Sequence, residues 1–515
     1  MINVIKKIIP LTAFLFTAEN IHPQAPEILK VRDYRVAHEK EIFSEFISFI
    51  GVPNIAADSV NLRKNALLIM EMMKKRGIQQ VQLLSTQTPG VPAVVYGEYI
   101  APGAKNTLVF YAHYDGQPVN PEQWATGLKP FEPKLASGPI DRGGSLIPFP
   151  GKDEALDPEW RVYGRGASDD KAGVASILNA FDAVLKSGQQ PTCNIKFFFE
   201  GEEEAGSPHL GEILQQYRQL LAADLWIMCD GPVHQSGKKQ VVFGARGDAH
   251  LDVTVYASRR PLHSGHYGNW APNPAMLLAK LLASMKDDNG KVLVKGFYDD
   301  VIPLTPAEKK ALRDAPPVDE QMKKELGIIS TEMPGKTLGE SISLPSLNIN
   351  GMQSGNVGRL ASNVIPVTAN AVIDLRLVPG NDWQRQQQKV TEHIRRQGYY
   401  VTDHDPTDEE RMKYPRMAKV IPGTGSYNAQ RTSMEWPVAQ QVIAAVKSTT
   451  TDQVVLMPTM GGSLPLFLFE KYLQAKTITV PVANHDNNQH AENENIRIRN
   501  LWNGIETMAA LMMMK

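Results

Sequence analysis

Lys171–Phe199, KAGVASILNAFDAVLKSGQQPTCNIKFFF, is the stretch on which the fold turns. Its first half carries Val174, Ile177, Leu178, Phe181, Val184 and Leu185 at the spacing that lines one face of a helix. Gly188 stands just past the end, where a left-handed residue commonly stops a helix. The second half, Ile195–Phe199, is short, apolar and aromatic, the pattern of a strand covered on both faces. Thr107–Tyr111 before it and Leu225–Cys229 after it repeat that pattern. Strands of this kind alternating with helices imply an α/β fold with a mixed, mostly parallel sheet flanked by helices.

Outward from this stretch the texture changes. Residues 34 to 77 read as helical, with Ile42, Phe46 and Phe49 and then Leu67, Met70 and Met73 at helix spacing. From Gly247 the residues Leu251, Val253 and Val255 alternate with polar partners, as in a strand with one wet face, and Val372 to Leu377 repeat this. An apolar helix over Pro274–Met285 and a charged, proline-containing stretch over Leu304–Lys324 lie between. Strand and helix signals of the first kind resume from Met434. At 515 residues the chain exceeds one ordinary core. We therefore expect residues 27–246 with 408–515 to form one unit, and 247–407 to form an α+β unit inserted into it.

Composition narrows the partners. With 42% hydrophobic and 21% charged residues and a formal net charge of -1, the chain is neither polybasic nor a disordered acidic polymer, and nucleic acid is not an expected partner. Cys193 and Cys229 both fall in apolar runs and read as small buried hydrophobes. Lys6 and Lys7 precede the apolar run Ile8–Ala18, as in the first parts of a secretory signal, so residues 1–26 are a candidate leader. Pro10 interrupts that run and Phe16 occupies a position that favours a small residue, which leaves export and a cytoplasmic location both open. The run is too short to span a bilayer, and no longer one follows, so no membrane partner is expected.

Chemistry-bearing residues gather at the ends of the strand-like runs. YAHYD sets His113 and Asp115 two apart after Thr107–Tyr111, a spacing that puts both on one side of a pleat. A carboxylate beside an imidazole makes it a better metal ligand, although the pair alone also suits an ordinary surface. GRGASDDKAG sets Asp169 and Asp170 where the long helix opens; one can cap it, but two adjacent carboxylates repel unless a cation or the helix dipole offsets them. EGEEEAGS places Glu200, Glu202, Glu203 and Glu204 after Ile195–Phe199, and LWIMCD ends on Asp230. Open α/β sheets bind ligands along that carboxyl edge. His490 stands in the polar loop NHDNNQHAEN. Together His113, Asp169, Glu204, Asp230 and His490 give a nitrogen and oxygen donor set that suits zinc, manganese or cobalt. The sequence contains no HExxH motif, GxSxG elbow or phosphate-binding P-loop.

These segments resemble the M20 metallopeptidases, and within them the carnosinase and dipeptidase branch. HYDGQPV, GRGASDDKAG, EGEEEAGSPHL, LWIMCDG, PLHSGHYG, SNVIP, LRLVP, GGSLP and the HAEN segment follow the family's order over residues 35 to 510. The resemblance implies a zinc-peptidase-like fold with an inserted lid or dimerisation domain. It further implies two zinc ions, one held by His113 and Asp230, the other by Glu204 and His490, with Asp169 bridging. Asp115 would orient His113, and Glu203 would be the general base. His263 and Asn363 would stabilise an oxyanion, Arg376 would grip a substrate carboxylate, and Gly462 with Ser463 would form a carboxylate-binding turn. The implied substrate is a dipeptide or similar small amide with a free carboxylate, and the implied assembly is a homodimer through the inserted domain. An N-acyl amino acid deacylase of the same fold is the alternative. The segment between Asp115 and Asp169, with Trp124 and GGSLIPFPGKDEALDPEW, is longer than in close relatives and is expected to reshape the pocket's entrance.

Overall fold

The computed structural model describes residues 24–514 apart from 152, 153 and 463. The candidate leader lies outside the described residues except at its end, where the Gln24 side chain donates to the Thr449 carbonyl at 3.1 Å and Pro26 opens the helix Pro26–Ala37.

An eight-stranded mixed sheet runs Gln79–Leu84, Val94–Tyr99, Asn194–Glu200, Thr107–His113, Leu225–Met228, Thr477–Thr479, Gln240–Val242, Val455–Met457. The strands from Asn194–Glu200 through Thr107–His113 and Leu225–Met228 to Thr477–Thr479 are parallel. Both sheet faces are dry, which accounts for the unbroken apolar runs. Leu108, Phe110, Ile195, Phe197, Phe199, Leu225 and Ile227 enter one core with the helices Lys171–Lys186 and Ile498–Met512. Their neighbours Val109, Tyr111, Phe198, Trp226 and Met228 point the other way, against Leu210–Gln216 and Leu466–Leu473.

A second, five-stranded sheet has its own core. It runs Ser346–Gln353, Thr368–Leu377, Gly247–Tyr256, Met417–Pro422, Tyr400–Thr402. Ala249, Leu251, Val253 and Val255 pack on the helices Pro274–Ala283 and Trp383–Arg396 through Leu278, Leu281, Val390 and Ile394. Two features depart from the division expected from sequence. The sheet continues past residue 407, because Met417–Pro422 pairs with Gly247–Tyr256; it commits only Ala418 and Val420 deep into the core, too little to stand out in sequence. The stretch around the helices Pro306–Asp314 and Leu338–Ile342 leaves the second core, and Ala311 packs into the first.

The long segment between Asp115 and Asp169 also departs from expectation. Lys134–Ala136, Leu146–Ile147 and Arg161–Tyr163 form a small sheet with Asn495–Arg497, and Trp124 packs with Leu128, Ala136 and Tyr163. Among its described residues none lines the cavity of about 710 Å³ that opens on Asp169 and His490. Instead it buttresses the loop that carries His490, through a bond of 2.8 Å from the Ala125 N–H to the Asn493 side chain.

Candidate metal centre

The parallel strands deliver their last residues to one edge. His113 closes Thr107–His113 and stands opposite Glu200 in register. Glu203 and Glu204 lie in the 3-10 turn Glu203–Ala205, a few residues beyond Asn194–Glu200. Asp230 follows Leu225–Met228 by two residues. The adjacent aspartates divide the work: Asp170 caps Lys171–Lys186, accepting from the Gly173 N–H at 3.1 Å, while Asp169 turns toward the histidines. The Asp169–Asp170 peptide is cis.

Asp169 sits between two imidazoles. Its Oδ1 is 3.0 Å from His113 Nε2 and its Oδ2 is 3.1 Å from His490 Nε2. Asp230 Oδ2 and Glu203 Oε2 each lie 3.9 Å from His113 Nε2, and Glu204 Oε2 lies 3.2 Å from His490 Nε2. Donor atoms around one tetrahedral zinc, each about 2.1 Å from the ion, stand about 3.4 Å apart. His113, Asp169 and Asp230 form one group whose donor atoms all lie within 4.8 Å of one another, and Asp169, Glu204 and His490 form another. These are the residues the sequence reading singled out as ligands, and Asp169 is common to both groups.

The electrostatics call for cations. Burial is the main cause that pushes the Glu204 carboxyl up to about 8 and Asp230 up to about 6, with repulsion from Asp169 adding to both. Burial likewise holds Glu203 well above the usual carboxylate range, reinforced by Asp230 and Glu204. Burial would also raise Asp169, but hydrogen bonds from His113 and His490 outweigh it and keep that carboxyl low. His490 is drawn up to about 9 by its bond to Asp169. The site thus buries more carboxylate than its imidazoles neutralise, and divalent cations would relieve that imbalance.

Neighbouring groups fix these side chains in place. Asp115 faces His113 Nδ1 at 3.3 Å and accepts from the backbone N–H of Glu203 and Glu204 at 3.2 and 2.9 Å, tying the two strand ends together. Glu202 turns away and pairs with His209 Nδ1 at 2.8 Å. Gln117 donates to Glu204 Oε2 at 2.8 Å, and Gln489 donates to Asp169 Oδ2 at 3.1 Å. Fully buried Glu494 accepts from the N–H groups of Gly166, Ser168 and Asp169, from Ser168 Oγ, and from Arg165 Nη1 at 2.7 Å. It shapes the loop that presents Asp169. Neither glutamine nor Glu494 carries a role in the sequence reading, although Gln117 lies within HYDGQPV, Gln489 directly precedes His490, and Glu494 directly follows the HAEN segment.

A cavity of about 710 Å³ opens on Asp169, Glu203, Asp230 and His490, and Arg376 and Gly462 border it. Leu312, Val318, Leu338 and Ile342, from the stretch that left the second core, form part of its wall. His263 and Asn363 are not in this lining; they lie exposed on the second unit, where the Ser264 N–H donates to the Asn363 carbonyl at 2.9 Å. Ser463 lies outside the described residues.

Known proteins resemble this chain over most of its length. The Cys-Gly metallodipeptidase DUG1 of Candida albicans is 28% identical over 482 residues, covering 89% of this chain and 91% of that protein. The Beta-Ala-His dipeptidase of Homo sapiens is 25% identical over 505 residues, covering 94% and 92%. Among solved structures, the M20 family metallo-carboxypeptidase Sso-CP2 from Sulfolobus solfataricus superposes with a TM-score of 0.71 at 26% identity, over 92% of this chain and 98% of that one. Human carnosine dipeptidase 1 shares the fold, with a TM-score of 0.73 at 22% identity over 95% and 99% of the chains. The family model described as Peptidase family M20/M25/M40 matches residues 109–514, from the strand that ends in His113 through the terminal helix. The chain belongs to that family, in its dipeptidase-like branch, and is a metal-dependent hydrolase.

Proposed function

We propose that this chain is a two-metal dipeptidase that hydrolyses the amide bond of a small substrate with a free C-terminal carboxylate. The observation that carries the reading is the pair of donor groups sharing Asp169, with Glu203 and Arg376 bordering the same cavity. His113 and Asp230 would hold one ion and Glu204 and His490 the other, with Asp169 between them. The mixed donor set suits zinc, and manganese or cobalt are compatible with it. Bound there, such ions lower the pKa of water and polarise a carbonyl oxygen.

The chain's own residues do the rest. Glu203 takes a proton from water as the oxygen adds to the amide carbon, and returns it to the nitrogen as the C–N bond breaks, leaving an acid and an amine. For that it must be ionised, and positive charge at the two donor groups would offset the burial, and the added repulsion from Asp230 and Glu204, that hold its proton on. Asp115 holds His113 with Nε2 facing the centre. Arg376 offers a planar guanidinium to the substrate's carboxylate, and Gly462 borders the same cavity.

His263 and Asn363 belong to this reading through a second copy of the chain. Both are exposed and stand apart from the cavity lining, which suits residues that complete a partner's cavity in a homodimer with the second unit as lid and interface.

The test is a panel of dipeptides and N-acyl amino acids, assayed before and after chelation, with Glu203→Gln alongside. We expect metal-dependent cleavage of dipeptides, lost by a factor of at least about 100 in Glu203→Gln with metal retained. Turnover of the acylated compounds alone would make the chain a deacylase. Undiminished turnover in Glu203→Gln would place the base elsewhere.

A further inference from the structure

Next to the point where the chain enters the second sheet, Asp248, His250, Asp374 and Arg376 form a closed ring. Asp248 and His250 alternate with the core residues Ala249 and Leu251, and Asp374 and Arg376 alternate with Ile373 and Leu375, so all four side chains leave the core face together. The antiparallel register sets Asp248 directly opposite Arg376 and His250 directly opposite Asp374. Arg376 Nε is 3.2 Å from Asp374, and Nη1 is 3.5 Å from Asp248 Oδ1. His250 closes the ring, its Nδ1 3.3 Å from Asp248 Oδ2 and its Nε2 3.3 Å from Asp374 Oδ1.

Two roles suit such a cluster. Asp248, His250 and Asp374 have donor atoms close enough for a cation. The guanidinium already stands against both carboxylates, however, and an added cation would meet its charge at close range. The second role is mechanical. A guanidinium bonded through Nε to Asp374 and paired with Asp248 at one terminal nitrogen is restrained in its plane, and a plane held in advance loses less freedom when it binds a carboxylate. His250 stands between the two carboxylates, 3.3 Å from each.

We propose that Asp248, His250 and Asp374 are positioning residues that aim Arg376 and thereby set the enzyme's preference for a free C-terminal carboxylate. This rests on Arg376 being the carboxylate's partner. Where the strands meet supports it: Asp374 is 3% exposed, while Arg376 reaches the cavity shared with Asp169 and Glu203.

The test compares a dipeptide with its C-terminal amide in the metal-loaded enzyme. The readout is the ratio of kcat/KM for acid over amide, with the inhibition constant of the amide used if it turns over too slowly. Arg376→Met sets the floor for that ratio. The near-isosteric variants Asp374→Asn, Asp248→Asn and His250→Gln should lower it toward the floor by about tenfold, chiefly through KM for the acid, with the amide unaffected. Equal losses on acid and amide would mean the ring only supports the fold, and would overturn the proposal. So would a ratio unchanged in the ring variants while Arg376→Met abolishes it, which would leave the carboxylate assignment standing. If Arg376→Met itself leaves the ratio unchanged, the carboxylate assignment falls and the proposal with it.

Discussion

Glu494 offers the most quantitative check on how the Asp169 loop is held. Its Oε2 accepts from Arg165 Nη1 at 2.7 Å and from the Gly166 N–H at 3.2 Å; its Oε1 accepts from Ser168 N–H, Ser168 Oγ and the Asp169 N–H at 2.9, 3.0 and 3.0 Å. In Glu494→Gln the amide oxygen can keep one of these groups of donors, but the amide nitrogen must then face the other. Turned to preserve the Ser168 and Asp169 bonds, it points N–H groups at Arg165 and Gly166. Arg165 is 2% exposed, so its charge is stranded away from water. Breaking one partner of a buried pair costs about 3–5 kcal/mol. Because the stranded charge is the larger part of that loss, adding Arg165→Met should recover about half of it. Denaturant unfolding of Glu494→Gln and of the double variant, beside the parent, reads both numbers. A single variant within about 1 kcal/mol of the parent, or a double variant no more stable than the single, would refute the claim that this pair holds the loop.

Other perturbations follow from the same geometry. Asp115→Asn keeps the shape but weakens its hold on His113, and should lower metal affinity by about 10- to 100-fold, read by competition with a chelator. Gly173→Ala places a methyl carbon 2.3 Å from Asp170 Oδ1 and 2.5 Å from the Cys229 carbonyl oxygen, so the helix cap must shift and metal occupancy should fall with it; a variant with full occupancy would show that the cap does not position Asp169. In the metal-free protein at pH 7, the raised values of Glu204, about 8, and His490, about 9, mean both groups largely carry protons. Metal must displace them, so uptake releases protons and apparent affinity rises with pH through 7 to 9. Calorimetry in buffers of different ionisation enthalpy measures that release directly, and heats independent of buffer would contradict it.

How much of this was legible in the sequence depended on what each residue does. Ile195–Phe199 and Leu225–Cys229 could be read as buried strands because both sheet faces are dry, which leaves no polar position to interrupt them. Asp169 and Asp170 were distinguishable only as a pair; the structure separates cap from centre because Asp170 turns back to Gly173. The second sheet runs past residue 407, which the sequence does not reveal: Met417–Pro422 buries Met417, Ala418 and Val420 without a clean alternation, and it joins the sheet by pairing with Gly247–Tyr256, a partner remote in sequence. Pro306–Asp314 was assigned to the second unit by its position in the chain, yet Ala311 joins the first core. Glu494, Gln117 and Gln489 act by hydrogen bonds across long sequence separations, and polar residues in loops carry no periodicity to reveal that. The ring around Arg376 needed the cross-strand register, which becomes visible only once the strands are paired.

The most direct test counts metal in the purified protein and in variants of each donor group. Two divalent cations per chain are expected in the parent, with one weakened in His113→Ala, the other in His490→Ala, and both in Asp169→Ala, and activity should vanish on chelation and return with metal. A parent that takes up no cation, or that cleaves amides as fast when stripped, would contradict the account.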